Sequence, residues 1–375
     1  PNFAEHMEVC LACRACQTAC PASINFGEMV EAARWQSLQT LPRKSPERFL
    51  RWAIFKQLFP YPARLNLVAT MMRLYQRTGL QWLARKLHLV PARLRESEAL
   101  LPAIPDRFFE TGRVIPAQGE KRGRVAMISG CVMGTVYAPT DEATVRVLTR
   151  NGFEVVIPRQ QNCCGALAIH AGERGLAKEM ARKNIDAFLN PAAPARNEGG
   201  DAPYDAIIIN AAGCGVALKE YRDLLADDAT YAGRAKQFSA IMQDVTEFLA
   251  AQGIRPPAHP INARVTYQDA CHMAHGQGIR AQPRALLKQI PGLQLVEMRD
   301  ADRCCGSAGI YNLTHPDLSM QVLDEKMTNV TATRPEVIVT ANPGCLMQLQ
   351  LGVKRAGLAN VEVVHVIDLL DRAYG

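Results

Sequence analysis

The sequence predicts a mixed α/β protein: an α-helical N-terminal segment, then two copies of one α/β domain, each built on a parallel sheet. Three observations carry that reading. From residue 124 onward, strand-like apolar runs alternate with segments of helical period, the pattern of parallel sheets joined by crossover helices. The order of elements in the first half recurs in the second, cysteines included. Before residue 100 no strand pattern occurs, and apolar residues recur at helical spacing between prolines.

Composition narrows the class. The chain has 375 residues, a formal net charge of +7, 48% hydrophobic and 21% charged residues. That is enough apolar material for packed cores, and it excludes disordered and low-complexity classes. No apolar run approaches the roughly 18 residues of a membrane span, and no signal-peptide pattern opens the chain. It begins Pro1-Asn2-Phe3 without an initiator methionine, so further sequence upstream is expected. The 12 cysteines fall into three sets of four, which favours metal sites in a reducing compartment over a disulfide scaffold.

The first element is a cysteine loop. Cys10-Leu-Ala-Cys13-Arg-Ala-Cys16-Gln-Thr-Ala-Cys20-Pro21 has the C-x2-C-x2-C-x3-C-P run of bacterial ferredoxins. A short loop of this spacing offers three thiolates to one cubane, and the fourth cysteine serves the other cluster of a two-cluster domain. Cys20 then needs partners upstream of Pro1, so residues 1–40 read as the C-terminal half of a ferredoxin-like [4Fe–4S] domain. A single cubane on all four cysteines, and a tetrahedral zinc site, are the alternatives.

Residues 41–100 read as basic amphipathic helices. Between 42 and 95 lie twelve Lys and Arg against one acid, Glu47, a net of +11 that leaves −4 for the rest of the chain. Trp35, Trp52 and Trp82 lie in or just before this stretch. A docking face for an acidic partner subunit, a plain solvated face, or a surface that meets anionic lipid all fit such a pattern. Nucleic acid does not, because no recognition motif accompanies the charge.

After a linker at 101–123, the first α/β domain spans 124–252. Strand-like 124–129 leads to Cys131, 153–157 leads to Cys163-Cys164-Gly165, and 205–210 leads to Gly213-Cys214-Gly215, with a loop rich in Pro, Ala and Gly at 190–203. A second linker, 253–263, precedes the second domain at 264–375. There 264–269 leads to Cys271, 293–297 to Cys304-Cys305-Gly306, and 336–340 to Gly344-Cys345. Equivalent cysteines are 140 (131 to 271), 141 (163 to 304) and 131 (214 to 345) residues apart, and the second copy lacks the 190–203 loop. A period this long marks a duplicated domain, not a solenoid. Ligands of parallel α/β sheets sit beyond the carboxyl ends of the strands. Three loops at one sheet edge therefore bring four thiols together in each half, and the neighbouring glycines let backbone N–H groups approach a cluster. A structural zinc site in each half and Cys-Cys redox chemistry are the competing readings. His170, His272, His275 and His315 lie near these loops, as ligands or proton donors or simply as backbone hydrogen-bond partners.

Taken together, the Cys10–Pro21 run and the two units Cys131/Cys163-Cys164-Gly165/Cys214 and Cys271/Cys304-Cys305-Gly306/Cys345 resemble the glycolate oxidase iron–sulfur subunit family. Lys183-Asn-Ile-Asp-Ala187, Lys219-Glu-Tyr221, Cys304-Cys-Gly-Ser-Ala-Gly309 and Leu313-Thr-His-Pro-Asp-Leu318 share in the likeness. Family members carry another cysteine run upstream. The resemblance implies an electron-transfer subunit with no catalytic residue of its own. Cys10, Cys13, Cys16, Cys20, Cys131, Cys163, Cys164, Cys214, Cys271, Cys304, Cys305 and Cys345 would hold [4Fe–4S] clusters: one or two at the N-terminal motif and one in each repeated domain. FAD is expected on partner subunits that oxidise glycolate, and a quinone or other acceptor takes the electrons. It also implies a cytoplasmic protein, with peripheral contact at the inner face of the cell membrane through residues 42–95 as an open option. No flavin or nicotinamide fingerprint occurs in the chain itself. Related subunits serve lactate, glycerol-3-phosphate or heterodisulfide substrates. Heterodisulfide reductase subunits end each unit in C-x-x-C, where this chain has Ala211 and Asn342, which leaves four thiols per half and weighs against thiol chemistry.

Overall fold

In the computed structural model, which describes residues 2–89, 98–189 and 204–375, strand and helix alternate as expected in both halves. The 190–203 loop and the stretch 90–97, with Arg93 and Arg95, lie outside the described residues. The first sheet contains β1 (Arg113–Ile115), β2 (Gly123–Met127), β3 (Phe153–Ile157), β4 (Ala206–Ile209) and β5 (Met242–Asp244) in the order β1-β3-β2-β4-β5. The second contains β6 (Arg264–Tyr267), β7 (Gln294–Val296), β8 (Val337–Thr340) and β9 (Glu362–His365) in the order β7-β6-β8-β9. Dropping β1 leaves the same strand order in both, all parallel. The duplication is therefore one of topology as well as of cysteine spacing.

Three strands lie outside the sequence reading. β1 falls within 101–123, expected as a plain linker, and pairs antiparallel with β3 as an edge strand. β5 and β9 are three and four residues long, and each runs directly into a helix. Asp244 caps Val245–Gln252 and His365 caps Val366–Tyr374, each through a reciprocal capping box. The capping signal beside each of these two strands reads as a helix start.

Alternate residues of each central strand serve different cores. Val125 and Met127 of β2 face the same cluster as Val265 and Tyr267 of β6, whereas Ala126 faces the outer layer of the first half and Ile338 of β8 that of the second. The shared cluster is filled by exchanged helices. Ala138–Arg150 of the first half packs on Val366–Tyr374 of the second, and Val245–Gln252 packs on Ala281–Leu287. In each pairing, the first long helix of one half meets the last helix of the other, a pseudo-twofold arrangement. Polar contacts lock the seam. His365 Nε2 donates to the Asn210 carbonyl at 2.8 Å, Ala212 N donates to the Ala341 carbonyl at 3.0 Å, and Arg146 pairs with Asp371 at 2.6 Å.

Ahead of the sheets lie the helices Asn2–Val9, Ala15–Ala19 and Phe26–Thr40, followed by the basic helices Ser45–Arg51, Pro62–Arg77 and Leu80–Lys86. Between the first two of these basic helices, Trp52–Leu58 is π-helical, and it drives Phe55 into the outer core of the first half. Within the helical stretch expected at 41–100, the chain breaks at Gly79, whose φ of 79° starts a new helix. Among the described residues, no helix is long and apolar enough to cross a membrane.

Two outcomes follow from the seam. Leu370 is fully buried in the shared cluster, so Leu370→Ala should cost about 2–5 kcal/mol, and thermal melting should show both halves unfolding in one transition. His365 is buried, accepts from Ile367 N through Nδ1, and is held down at a pKa of about 4 by that burial. The unfolded chain takes up this proton first, near pH 6.5. The histidine's contribution is therefore complete above about pH 6.5 and is lost as pH falls towards 4, a change of about 3 kcal/mol. The drop in melting temperature over that window should be smaller in His365→Gln than in the parent protein.

Candidate metal centres

The thiols collect where the parallel strands end. Cys131, four residues past the end of β2 and directly after the left-handed Gly130, caps the short helix Val132–Thr135, and Cys271, four residues past the end of β6, caps the π-helical turn His272–Gly276. Cys214 and Cys345 each occupy the third position of a helix, Ala212–Lys219 and Pro343–Arg355. Cys163-Cys164 and Cys304-Cys305 sit on the loops between.

In the first half, Cys163 Sγ lies 3.6 Å from Cys131 Sγ, and Cys164 bridges from Cys163 to Cys214. In the second, Cys271 contacts Cys304, and Cys305 Sγ lies 3.4 Å from Cys345 Sγ. All eight thiols predicted from the repeat are thus brought into two groups of four. All twelve cysteines of the chain are free. Contact with Cys163, then burial, pushes the Cys131 thiol well above its ordinary range, and contact with Cys304, then burial, does the same for Cys271. Cys131 and Cys271 thus keep their protons, while contact with Cys131 and Cys164 pulls Cys163 well below its ordinary range; a cationic group that deprotonates thiols on binding is what four of them in one place can satisfy. Among the described residues, no three His, Cys, Asp or Glu side chains are set about a single ion. The sulfurs run in a row of contacts, a donor set that suits a polynuclear cluster better than one ion.

The glycine of each Cys-Cys-Gly unit has a cause other than cluster approach. Gly165 and Gly306 have φ of 82° and 90°, the left-handed region, and a Cβ on Gly306 would come within 2.4 Å of the Ser319 carbonyl oxygen. The close approach is to the following helix, which draws the cysteine loop down onto the sheet.

The N-terminal motif docks against both halves. Cys13 is raised by burial and feels the charges of Cys271, Cys10 and Cys16. Cys20 stands apart: its sulfur accepts amide hydrogen bonds from Ile24, Ala22 and Ser23, which hold it below an ordinary thiol. Arg14, between two of the motif's cysteines, is only 2% exposed and bridges to Glu220 of the first half through Nη1 at 2.5 Å and Nη2 at 2.8 Å. Its backbone φ of 64° turns the loop. Thr18 Oγ1 meets His275 Nδ1 of the second half at 2.9 Å, and Tyr311 donates to the Val9 carbonyl at 2.9 Å. Arg14 was not singled out by sequence reasoning, because a basic residue inside a cysteine loop gives no sign that it is buried.

Of the four histidines near the loops, three have ordinary partners: His170 pairs with Glu31 at 3.0 Å, His275 with Thr18, and His315 with Thr314 at 2.9 Å. His272 differs. It is half-buried, its Nδ1 is 3.6 Å from Cys271 Sγ, and its solvent-shielded Nε2 has no hydrogen-bond partner. Asn342, noted in the sequence only as a missing cysteine, donates from Nδ2 to Cys345 Sγ at 3.5 Å and accepts from Gly213 N at 3.1 Å.

Comparison with known proteins covers the basic helical segment and both repeated units. A family model described as the glycolate oxidase iron–sulfur subunit linker region matches residues 46–101, and one described as a cysteine-rich domain matches 125–219 and 265–350. The chain is 41% identical to the probable glycolate oxidase iron–sulfur subunit of Bacillus subtilis (strain 168), over 98% of this chain and 82% of that one. It is 34% identical to the glycolate oxidase iron–sulfur subunit of Escherichia coli (strain K12), over 98% of this chain and 82% of that one. A lactate utilization protein A of Exiguobacterium sp. is 29% identical over 66% of this chain and 96% of its own length.

Arg14→Met keeps the bulk of the buried side chain and removes both bonds to Glu220. Loss of charged hydrogen bonds of this kind costs about 1.5–3 kcal/mol, so limited proteolysis should cut between residues 10 and 26 faster in the variant, with global melting little changed.

Proposed function

The chain belongs to the glycolate oxidase iron–sulfur subunit family, and from that membership we propose that it is the electron-transfer subunit of a multi-subunit, flavin-dependent glycolate oxidase. Cys131, Cys163, Cys164 and Cys214 would hold one [4Fe–4S] cluster, Cys271, Cys304, Cys305 and Cys345 a second, and Cys10, Cys13, Cys16 and Cys20 one or two at the N-terminus. When bound, such clusters supply one-electron storage at potentials set by charge, hydrogen bonds to sulfur and exposure. The observation that carries the reading is the gathering of eight free thiols, six of them buried, into two groups at equivalent strand ends.

The chain's own residues shield, orient and bias these sites. The fold keeps solvent from the second set, whose four cysteines are all buried. Oxidation of glycolate, a two-electron reaction, belongs on partner subunits carrying FAD. A quinone or another acceptor takes the electrons from this chain. The similarity to lactate utilization protein A keeps an iron–sulfur subunit of a lactate or glycerol-3-phosphate system as the second reading, since the substrate is chosen on the flavin subunit. Heterodisulfide-type thiol chemistry is disfavoured by Ala211 and Asn342, which occupy the positions of the extra cysteines.

Peripheral contact with an anionic membrane surface is part of the proposal. Among the described residues, all but three of the exposed large apolar side chains precede residue 90, with Leu67, Leu74, Leu80 and Trp82 each more than half exposed beside Arg64, Arg77 and Lys86. Apolar side chains rimmed by cations fit the boundary of an anionic bilayer.

Two measurements test the reading. The anaerobically purified protein should be brown, contain iron and acid-labile sulfide, and show a reduced-state EPR signal; with its flavin subunits, glycolate should reduce the clusters, and reduction by lactate alone would shift the assignment to the second reading. The full chain should sediment with vesicles containing anionic lipid and not with neutral ones, and combined Leu67→Ser, Leu74→Ser and Trp82→Ser should abolish that binding.

A further inference from the structure

The two cysteine groups share a topology, and the side chains around them do not match. The helix that carries Cys214 is preceded by Ala211, and the helix that carries Cys345 by Asn342, positions 131 residues apart like the cysteines themselves. Ala211 is fully buried and offers only a methyl group. Asn342 uses both ends of its amide: Nδ2 donates to Cys345 Sγ at 3.5 Å, and Oδ1 takes the N–H of Gly213 at 3.1 Å. Gly213 immediately precedes Cys214. One side chain thus supplies a donor to the second sulfur set and occupies an amide in the first turn of the helix that carries Cys214.

A second mismatch lies on a different element. The Cys-Cys-Gly loops rest on Ala177 in the first half and Ser319 in the second. Seven residues further along each helix stand Asn184 and Lys326. Asn184 is neutral and caps the loop, donating to the Cys163 carbonyl at 3.1 Å. Lys326 is fully buried, donates to the carbonyls of Asp300 at 2.7 Å and Ala301 at 3.2 Å, and feels the charges of Cys305, Cys345 and Cys304. Both hydrogen bonds go to carbonyls, and the Asp302 carboxylate acts on it only through its charge, as the three sulfurs do, so part of its positive charge is available to the sulfurs.

Donors to sulfur and nearby positive charge both favour the reduced, more negative state of a cluster, and low dielectric strengthens them. We propose that Asn342 and Lys326 make the two repeated sites unequal, holding the second, on Cys271, Cys304, Cys305 and Cys345, at a higher reduction potential than the first. This rests on the reading that each repeat holds a cluster. Asn342 and Lys326 are positioning residues: they act through the sulfurs and carbonyls they touch.

The test is an EPR-monitored redox titration of the iron-loaded full chain. Cys345→Ser should abolish or displace the higher-potential wave of the two repeated sites and leave the lower one. Asn342→Ala and Lys326→Gln should each lower that higher wave by at least a tenfold change in its reduction equilibrium, about 59 mV for one electron, with the lower wave unmoved or raised. Ala211→Asn should raise the lower wave. The two substitutions lie on separate helices, so a folding failure in one leaves the other as a complete test. The inference is overturned if the higher wave survives Cys345→Ser unchanged, or if a folded, loaded Asn342→Ala or Lys326→Gln protein leaves that wave in place. A parent protein that takes up no iron at either repeat refutes the cluster reading itself, which is a different result.

Discussion

Neither sheet can cover its own inner face, and the whole molecule is arranged around that deficiency. Parallel sheets need helices on both faces. Each half has outer helices of its own, while its inner face is closed together with helices of the other half. Val125 and Met127 therefore share one core with Val265 and Tyr267. Burial at this seam makes each half a condition for the folding of the other, and it sets the two groups of strand ends in a fixed relation. The contacts Ala212–Ala341 and Gly213–Asn342 are direct results.

That relation explains how the thiols are tolerated. Crowded sulfurs are unfavourable as anions and unremarkable as protonated side chains, so the fold can form around them and still present donors for a cationic cluster. The loops are held from outside by features of the scaffold: left-handed glycines that press onto the following helix, the Asn184 cap, and the Lys326 bonds to Asp300 and Ala301. The N-terminal motif is added to this body through Arg14, whose guanidinium reaches Glu220, and through Thr18 and Tyr311, which reach the second half. It touches both halves at once, so its position depends on the seam being closed.

Much of the fold was legible before any coordinates. β2, β3, β4, β6, β7 and β8 lie within or at the strand-like runs, because buried parallel strands read as short apolar stretches and β-branched residues dominate them. β1, β5 and β9 are not: β1 lies in a stretch rich in Pro and Gly, and β5 and β9 run straight into helix caps. Among the histidines, His275 meets the Asp302 carbonyl, His170 and His315 meet side chains, and His272 leaves Nε2 without a partner, pairings that only the fold decides. Asn342 was visible only as an absent cysteine; its bonds join residues from opposite halves, and no local pattern reports them.

What the sequence by itself determined is what depends on spacing along the chain: the duplication, the twelve cysteines in three sets, the glycine after each cysteine pair, and the excess of positive charge in one helical segment. These survive in any conformation and can be read from order alone. Only the tertiary structure decided that the halves share a core, that Arg14 is buried between them, and that the two thiol groups sit among different neighbours. The physical reason is range. Propensity and period act over a few residues, whereas Asn342 meets Gly213, and His365 meets Asn210, across more than a hundred, and such contacts exist only once the helices have been exchanged and the seam has closed.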